Sequence, residues 1–149
     1  WLLRLASLML LKPPGLTGVD HLVYVPSHPR RLLWRGYNPT AVLCQRIART
    51  TRLPVLPGDS IKRPRHIEQR HLSASERHLQ ISHSLRINPH LDLGGQHLLL
   101  VEDVVTTGAT ASTIARLLKQ QGARMVGVWT LARTPPHPSA SRHSVQNQA

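Results

Sequence analysis

Residues 99–110 read Leu-Leu-Val-Glu-Asp-Val-Val-Thr-Thr-Gly-Ala-Thr, and their order decides the fold. An apolar run meets two adjacent carboxylates, Glu102 and Asp103, and then a Thr-Thr-Gly-Ala-Thr turn. His97–Val101 has the continuous apolar character of a strand buried on both faces. Glu102–Ala109 reads as a loop. Ala111–Gln121 reads as a helix, because Ile114, Leu117 and Leu118 recur at i, i+3 and i+4 and Gly122 supplies a stop. Met125–Leu131 is the next strand. A strand–helix–strand unit predicts a parallel pair with a right-handed crossover, and so an α/β sheet.

In an open α/β sheet, ligands bind outside the carboxyl ends of the strands. A helix N-terminus there offers free N–H groups and the positive end of a dipole, which suits a phosphate. The hydroxyls of Thr106, Thr107 and Thr110 add donors, and Gly108 lets the backbone turn tightly around an anion. Glu102 and Asp103 repel that anion and must face something else. Ionised carboxylates accept hydrogen bonds from vicinal hydroxyls. Phosphate on one side and a diol on the other describe a ribose 5-phosphate. The competing reading is a strand–helix turn whose acids and threonines only cap the helix. Two other phosphate motifs are absent: no lysine follows Gly108 as a Walker loop requires, and there is no G-x-G-x-x-G.

Upstream, His21–Pro26 is a short run rich in β-formers and reads as a buried strand. Ser27–Tyr37, with Arg30, Arg31 and Arg35, reads as a basic loop. Asn38-Pro39 has the signature of a helix start, with Ala41, Cys44, Ile47 and Ala48 repeating at helical spacing through Thr50. Cys44 on that face reads as a small core residue. Leu53–Leu56 reads as a further short strand. From Gly58 to Pro89 the chain is polar and basic with poor periodicity, an excursion from the core in which Ser73–Glu76 fits a capping box. Leu2–Leu11 reads as a core-packing helix ending before Lys12-Pro13-Pro14-Gly15. Residues 134–149, with three prolines and several serines, read as a disordered tail. The domain expected is therefore 1–133.

The chain has 149 residues, 19 Lys+Arg against 7 Asp+Glu, and a formal charge of +12. That balance favours an anionic partner: phosphate, nucleotide or nucleic acid. One cysteine excludes an intrachain disulfide framework and a zinc ribbon within this chain. No apolar run reaches the ~18 residues of a membrane span. The ten histidines show no metal-binding spacing. Trp34 and Tyr37 interleave with arginines, as loop anchors or as stacking surfaces for a base or single-stranded DNA. With one cysteine, a cytoplasmic location is expected.

Val101–Thr110 resembles the phosphoribosyl pyrophosphate (PRPP) binding motif of type I phosphoribosyltransferases. The rest of the chain resembles the ComF (competence protein F-like) family: Tyr24–Pro29 followed by Arg35-Gly36-Tyr37-Asn38, then Gln69, Leu72, Ser73, Glu76 and Arg77, then Leu131-Ala132-Arg133. The resemblance spans roughly Asp20–Arg133. Pro39 and Gln80 depart from the family's usual Gln and Asn. Members commonly carry an N-terminal four-cysteine zinc module, which a single cysteine cannot form.

The resemblance implies a mostly parallel twisted sheet flanked by helices, with a small irregular hood at about 58–89. It implies PRPP-dependent transfer of phosphoribose to an unknown acceptor, with Mg²⁺ held through PRPP oxygens and water. Glu102 and Asp103 would be the catalytic pair, holding the ribose 2- and 3-hydroxyls, with Asp103 near the developing oxocarbenium charge. The substrate-binding stretch would be Glu102, Asp103, Val104, Val105, Thr106, Thr107, Gly108, Ala109 and Thr110, its threonine turn cradling the 5-phosphate. Ser27, His28, Arg35 and Gly36 would form the pyrophosphate loop. Lys62, Arg63, Arg65, Gln69 and Arg77 would belong to the hood. The other expectation is a non-catalytic PRPP- or nucleotide-binding protein, or one that handles single-stranded DNA with the competence machinery.

Overall fold

A computed structural model describes residues 16–63 and 85–134. The predicted Leu2–Leu11 helix, the Ser73–Glu76 cap and the tail beyond Thr134 lie outside these residues. Strand β1 is His21–Tyr24, helix α1 Pro29–Arg35, helix α2 Pro39–Thr51, β2 Ile61–Lys62, β3 Arg86–Ile87, β4 His97–Val105, α3 Ala109–Gln120 and β5 Met125–Arg133. The described strands β1, β4 and β5 form a parallel sheet with β4 in the centre. β2 and β3 form a separate antiparallel pair, Ile61 opposite Ile87.

The alternation of β4 explains its unbroken apolar run. Leu98 and Leu100 pack with Ile114 and Leu118 of α3, while Leu99 and Val101 pack with Leu43, Cys44 and Ile47 of α2. Helices therefore cover both faces, and each apolar residue of the strand has a core to enter. β1 divides the same way, Leu22 toward α2 and Val23 toward α3.

The chain leaves the centre of this sheet in two directions. From β1 it passes through α2 to Val55, which bridges Leu22 in parallel on the edge of β1 away from β4. From β4 it passes through α3 to β5 on the other side. The order reverses between β1 and β4. A crevice opens at such a switch point beyond the carboxyl ends of the strands.

Four local expectations need correction. Ser27–Tyr37 is not a loop but contains α1. His28 caps it, its side chain accepting from Arg30 N–H; Pro29 opens it, and Gly36 closes it in the left-handed region at φ 74°. The cap residues outweigh the charge run, because arginine is a good helix former. Glu102–Val105 is strand rather than loop, since β5 pairs with β4 out to Val105–Arg133. α3 begins two residues earlier than predicted, with Gly108 as its N-cap at φ 76°. Leu53–Leu56 is not a strand: it makes one bridge, with Pro54 C=O accepting from Leu22 N–H and Leu56 N–H donating to Leu22 C=O, 2.8 Å each.

Candidate functional site

A cleft of about 300 Å³ opens at the switch point. The turn after β1 contributes Val25, Pro26, Ser27 and His28, α1 contributes Arg31 and Arg35, and the start of α2 contributes Asn38, Pro39 and Thr40. Glu102, Asp103 and Val104 come from β4, Thr110 from α3, and Arg63 from the residue after β2. Thus Val25 and Thr110, 85 positions apart in sequence, face one space.

Glu102 is half-buried, and its Oε2 is fully shielded from solvent without a hydrogen-bond partner. Burial, with the Asp103 charge adding to it, raises its pKa above the ordinary carboxylate value, and Arg63 pulls the other way. Arg63 Nε is likewise buried without a hydrogen-bond partner. Its pKa is lowered by burial, and also by Arg31, with Glu102 opposing. Two residues of opposite charge that line one cleft therefore each carry an orphaned polar atom. Orphans of this kind are costly and mark functional positions. Asp103 Oδ1 accepts from Val104 N–H at 2.9 Å, and its backbone C=O lies 3.2 Å from Thr130 Oγ1.

The far wall is built around Asn38. Its Oδ1 accepts from Thr40 N–H at 3.1 Å, capping α2, and from Ser27 Oγ at 2.9 Å; its Nδ2 donates to Val25 C=O at 3.1 Å. Thr40 Oγ1 sits 2.6 Å from Val25 C=O and 2.7 Å from Asn38 Oδ1. One side chain thus fixes the turn after β1 against a helix start. His28 Nδ1 accepts from Arg30 N–H at 3.2 Å, which leaves the proton of the neutral ring on Nε2. Burial, then Arg63, Arg30 and Arg31, lower the His28 pKa. The shift favours the neutral ring over the imidazolium. Across the cleft, the N-cap of α3 is Gly108, which makes no side-chain cap hydrogen bond. Thr107 Oγ1 accepts only weakly from Ala109 N–H, at 3.3 Å.

Of the residues singled out from sequence, Glu102, Asp103, Val104, Thr110, Ser27, His28, Arg35 and Arg63 line the cleft. Val105 is buried and does not line it; Thr106 and Thr107 are exposed at the turn, with Gly108 and Ala109 opening α3. Gly36 caps α1 rather than lining the cleft, and Lys62 lies on β2. Arg65, Gln69 and Arg77 fall outside the described residues. Sequence reasoning gave no site role to Arg31, Asn38 or Thr40. The signal for Asn38 was its N-cap position, for Arg31 its place one turn before Arg35; Thr40 offered none.

The phosphoribosyl transferase domain family matches residues 59–147. The chain belongs to that family. It is also 37% identical over 134 residues to the DNA utilization protein YhgH of Escherichia coli K12, covering 89% of this chain and 58% of that protein. It is 36% identical over 117 residues to Competence protein F of Haemophilus influenzae, covering 76% of this chain and 50% of that one. The chain is thus a ComF-family phosphoribosyltransferase-like protein, and it spans about half the length of these relatives. The fold matches the purine phosphoribosyltransferase of Pyrococcus horikoshii Ot3, with TM-score 0.56 at 18% identity, covering 91% of this chain and 74% of that one. Among the described residues, no helix is long and apolar enough to cross a membrane.

Proposed function

We propose that the cleft binds PRPP and that the protein transfers its phosphoribosyl group to an acceptor, releasing pyrophosphate. The observation that carries this reading is the buried, unpartnered Oε2 of Glu102 beside Asp103 at a switch-point crevice. A vicinal diol supplies the missing donors. The α3 N-terminus takes the 5-phosphate, with Thr106, Thr107 and Thr110 as further donors. Arg31, Arg35 and Arg63, together with Ser27 and His28, face the pyrophosphate. The acid pair steadies the cationic sugar while the guanidinium groups steady the departing anion, so catalysis is positioning and electrostatics.

The donor set suits Mg²⁺ carried on the ligand. Glu102 and Asp103 are hard oxygen donors, and no group of three or more His, Cys, Asp and Glu gathers among the described residues. When bound, the ion would neutralise pyrophosphate charge, and Glu102 and Asp103 are the residues that would offer it protein oxygens. The acceptor is read by the hood. A cytoplasmic setting is part of the proposal, resting on a cysteine count of one, Cys44, which is buried.

The test is a thermal shift with Mg²⁺–PRPP on the parent and on a Glu102→Ala/Asp103→Ala variant. Ligand at ~100 times Kd adds about 2.7 kcal/mol, which for this size is roughly 5–10 °C in Tm. The expected result is a shift in the parent that vanishes in the variant. No shift in a folded parent refutes the assignment. Pyrophosphate release in the presence of candidate acceptors then separates turnover from binding alone.

A further inference from the structure

Strand β5 has two edges, and β4 takes one. Among the described residues no strand pairs with the other, and the backbone hydrogen bonds of Val126–Arg133 go to β4. Such an edge is a row of open N–H and C=O groups, which monomeric proteins blunt with lysine, proline or a bulge. Met125–Ala132 uses none of these. It carries no charge and no proline, and its register on β4 holds unchanged from His97–Met125 to Val105–Arg133. Met125 is 51% exposed and Val128 46%. On the face shared with Leu99 and Val101, Trp129 and Leu131 are only partly buried, while α2 packs on β1 and β4.

We propose that β5 pairs edge to edge with β5 of a second copy of this chain, antiparallel about a two-fold axis at Trp129, so that the parallel sheets of two copies join into one. A two-fold contact needs a surface that complements itself, and an antiparallel strand provides one. Trp129 is the central residue of Met125–Arg133, so pairing there engages the full strand. Met125 then lies opposite Arg133 of the partner subunit, Gly127 opposite Leu131 of the partner subunit, and Val128 opposite Thr130 of the partner subunit. The two Trp129 side chains meet on one face, an aromatic cross-strand pair that stabilises a sheet. The chain's own remaining segments suit the edge less well. Trp1–Lys12 has no Val, Ile or Thr, the β-branched residues that favour strands. Thr134 is followed by Pro135, Pro136 and Pro138, which cannot donate to a ladder. Residues 64–84 leave from β2, which follows Val55 on the opposite edge of the sheet. A chain of net charge +12 repels its copy, and an uncharged strip is where contact sets no like charges against each other. The strip is about 30 Å long, small for an interface, so the dimer belongs to the micromolar range. The pairing does not depend on what the cleft binds.

The experiment is sedimentation equilibrium of the full chain from about 1 to 200 µM, with amide hydrogen exchange read at both ends of that range. The parent passes from one chain mass to two, and added salt tightens the dimer by screening the like charges. Amides of Val126–Ala132 that face away from β4 exchange slowly in the dimer and fast in the dilute monomer. Val128→Lys weakens the dimer about tenfold or more, because each copy brings a charge into the strip, while the monomer keeps its Tm. Met125→Glu tightens the dimer severalfold by facing Arg133 of the partner subunit, and Met125→Lys loosens it. These two variants carry the test if Val128→Lys does not fold. A single chain mass throughout overturns the proposal. Slow exchange along the β5 edge in dilute monomer overturns it too, since the chain's own residues then cover the edge. A dimer unchanged by Val128→Lys, or shifted the same way by both Met125 variants, overturns pairing through this edge in this register.

Discussion

Glu102 shows at a single residue how a site is held against stability. Its pKa is raised by burial, with Asp103 adding, so the folded chain holds that proton more tightly than the unfolded chain does. The stability it contributes is complete below the unfolded pKa, about 4.3, and is lost as pH rises through the folded value. At neutral pH the charged side chain is a burden on the unliganded protein. Glu102→Gln removes the titration and keeps the shape. The variant should melt at or above the parent at pH 7–8, with the difference shrinking toward about pH 4, and should lose its PRPP response. A variant less stable than the parent at pH 7 would contradict the burial argument. Asp103→Asn should weaken PRPP binding without unfolding the domain, because Asn retains an acceptor for Val104 N–H; thermal shift and circular dichroism read the two separately. Cys44 is the opposite case, a residue with chemistry but no access. It is fully buried, and burial pushes its thiol up to about 12. Thiol reagents at pH 8 should leave it unmodified in native protein and label it fully in denaturant.

At the scale of elements, helix ends are where sequence and structure agree or part. Asn38-Pro39 was legible because a cap and a first-turn proline act within four residues, and α2 starts there. Asn38→Ala removes that cap, the donation to Val25 C=O and the anchor of Ser27. The expected loss is about 1–2 kcal/mol, measured by denaturant melts. α1 reads from sequence as a basic loop although His28-Pro29 and Gly36 mark its ends, since three arginines fill a short stretch after a strand. The test of those ends is Gly36→Ala. The position sits at φ 74°, and a Cβ in the left-handed region costs about 1–2 kcal/mol. The reach of β4 was hidden for another reason. An acid pair looks like the end of a strand until β5 is seen to continue the ladder to Arg133. The apolar alternation that fixes β4 between two helices was plain in His97–Val101. The arrival of Arg63 in the cleft was not, because it depends on the pairing of β2 with β3, two residues each.

On the scale of the whole molecule, the cleft joins two halves of the chain that meet only because the sheet reverses direction between β1 and β4. The β4–α3 half carries the carboxylates and the helix N-terminus, while the β1–α1–α2 half carries Arg31, Arg35 and the Asn38 network. In the proposed site the first half meets ribose 5-phosphate and the second meets pyrophosphate. The halves should then fail independently under mutation. Arg35 is exposed on α1 and supports no core contact, so Arg35→Ala should leave Tm within about 1 °C of the parent. It should weaken PRPP and free pyrophosphate by at least about fivefold, the loss of one charge-assisted contact worth ~1.5 kcal/mol or more. Ribose 5-phosphate should bind as to the parent. Thr110→Val, in the other half, should reverse the pattern, costing ribose 5-phosphate and PRPP but not pyrophosphate. Isothermal titration of the three ligands against both variants reads the result directly. Equal losses for all three ligands in either variant would mean that the two halves do not divide the ligand as proposed. The net charge of +12 acts on every anion alike through long-range attraction. It can therefore change how fast the three ligands arrive but not which half of the cleft each one needs.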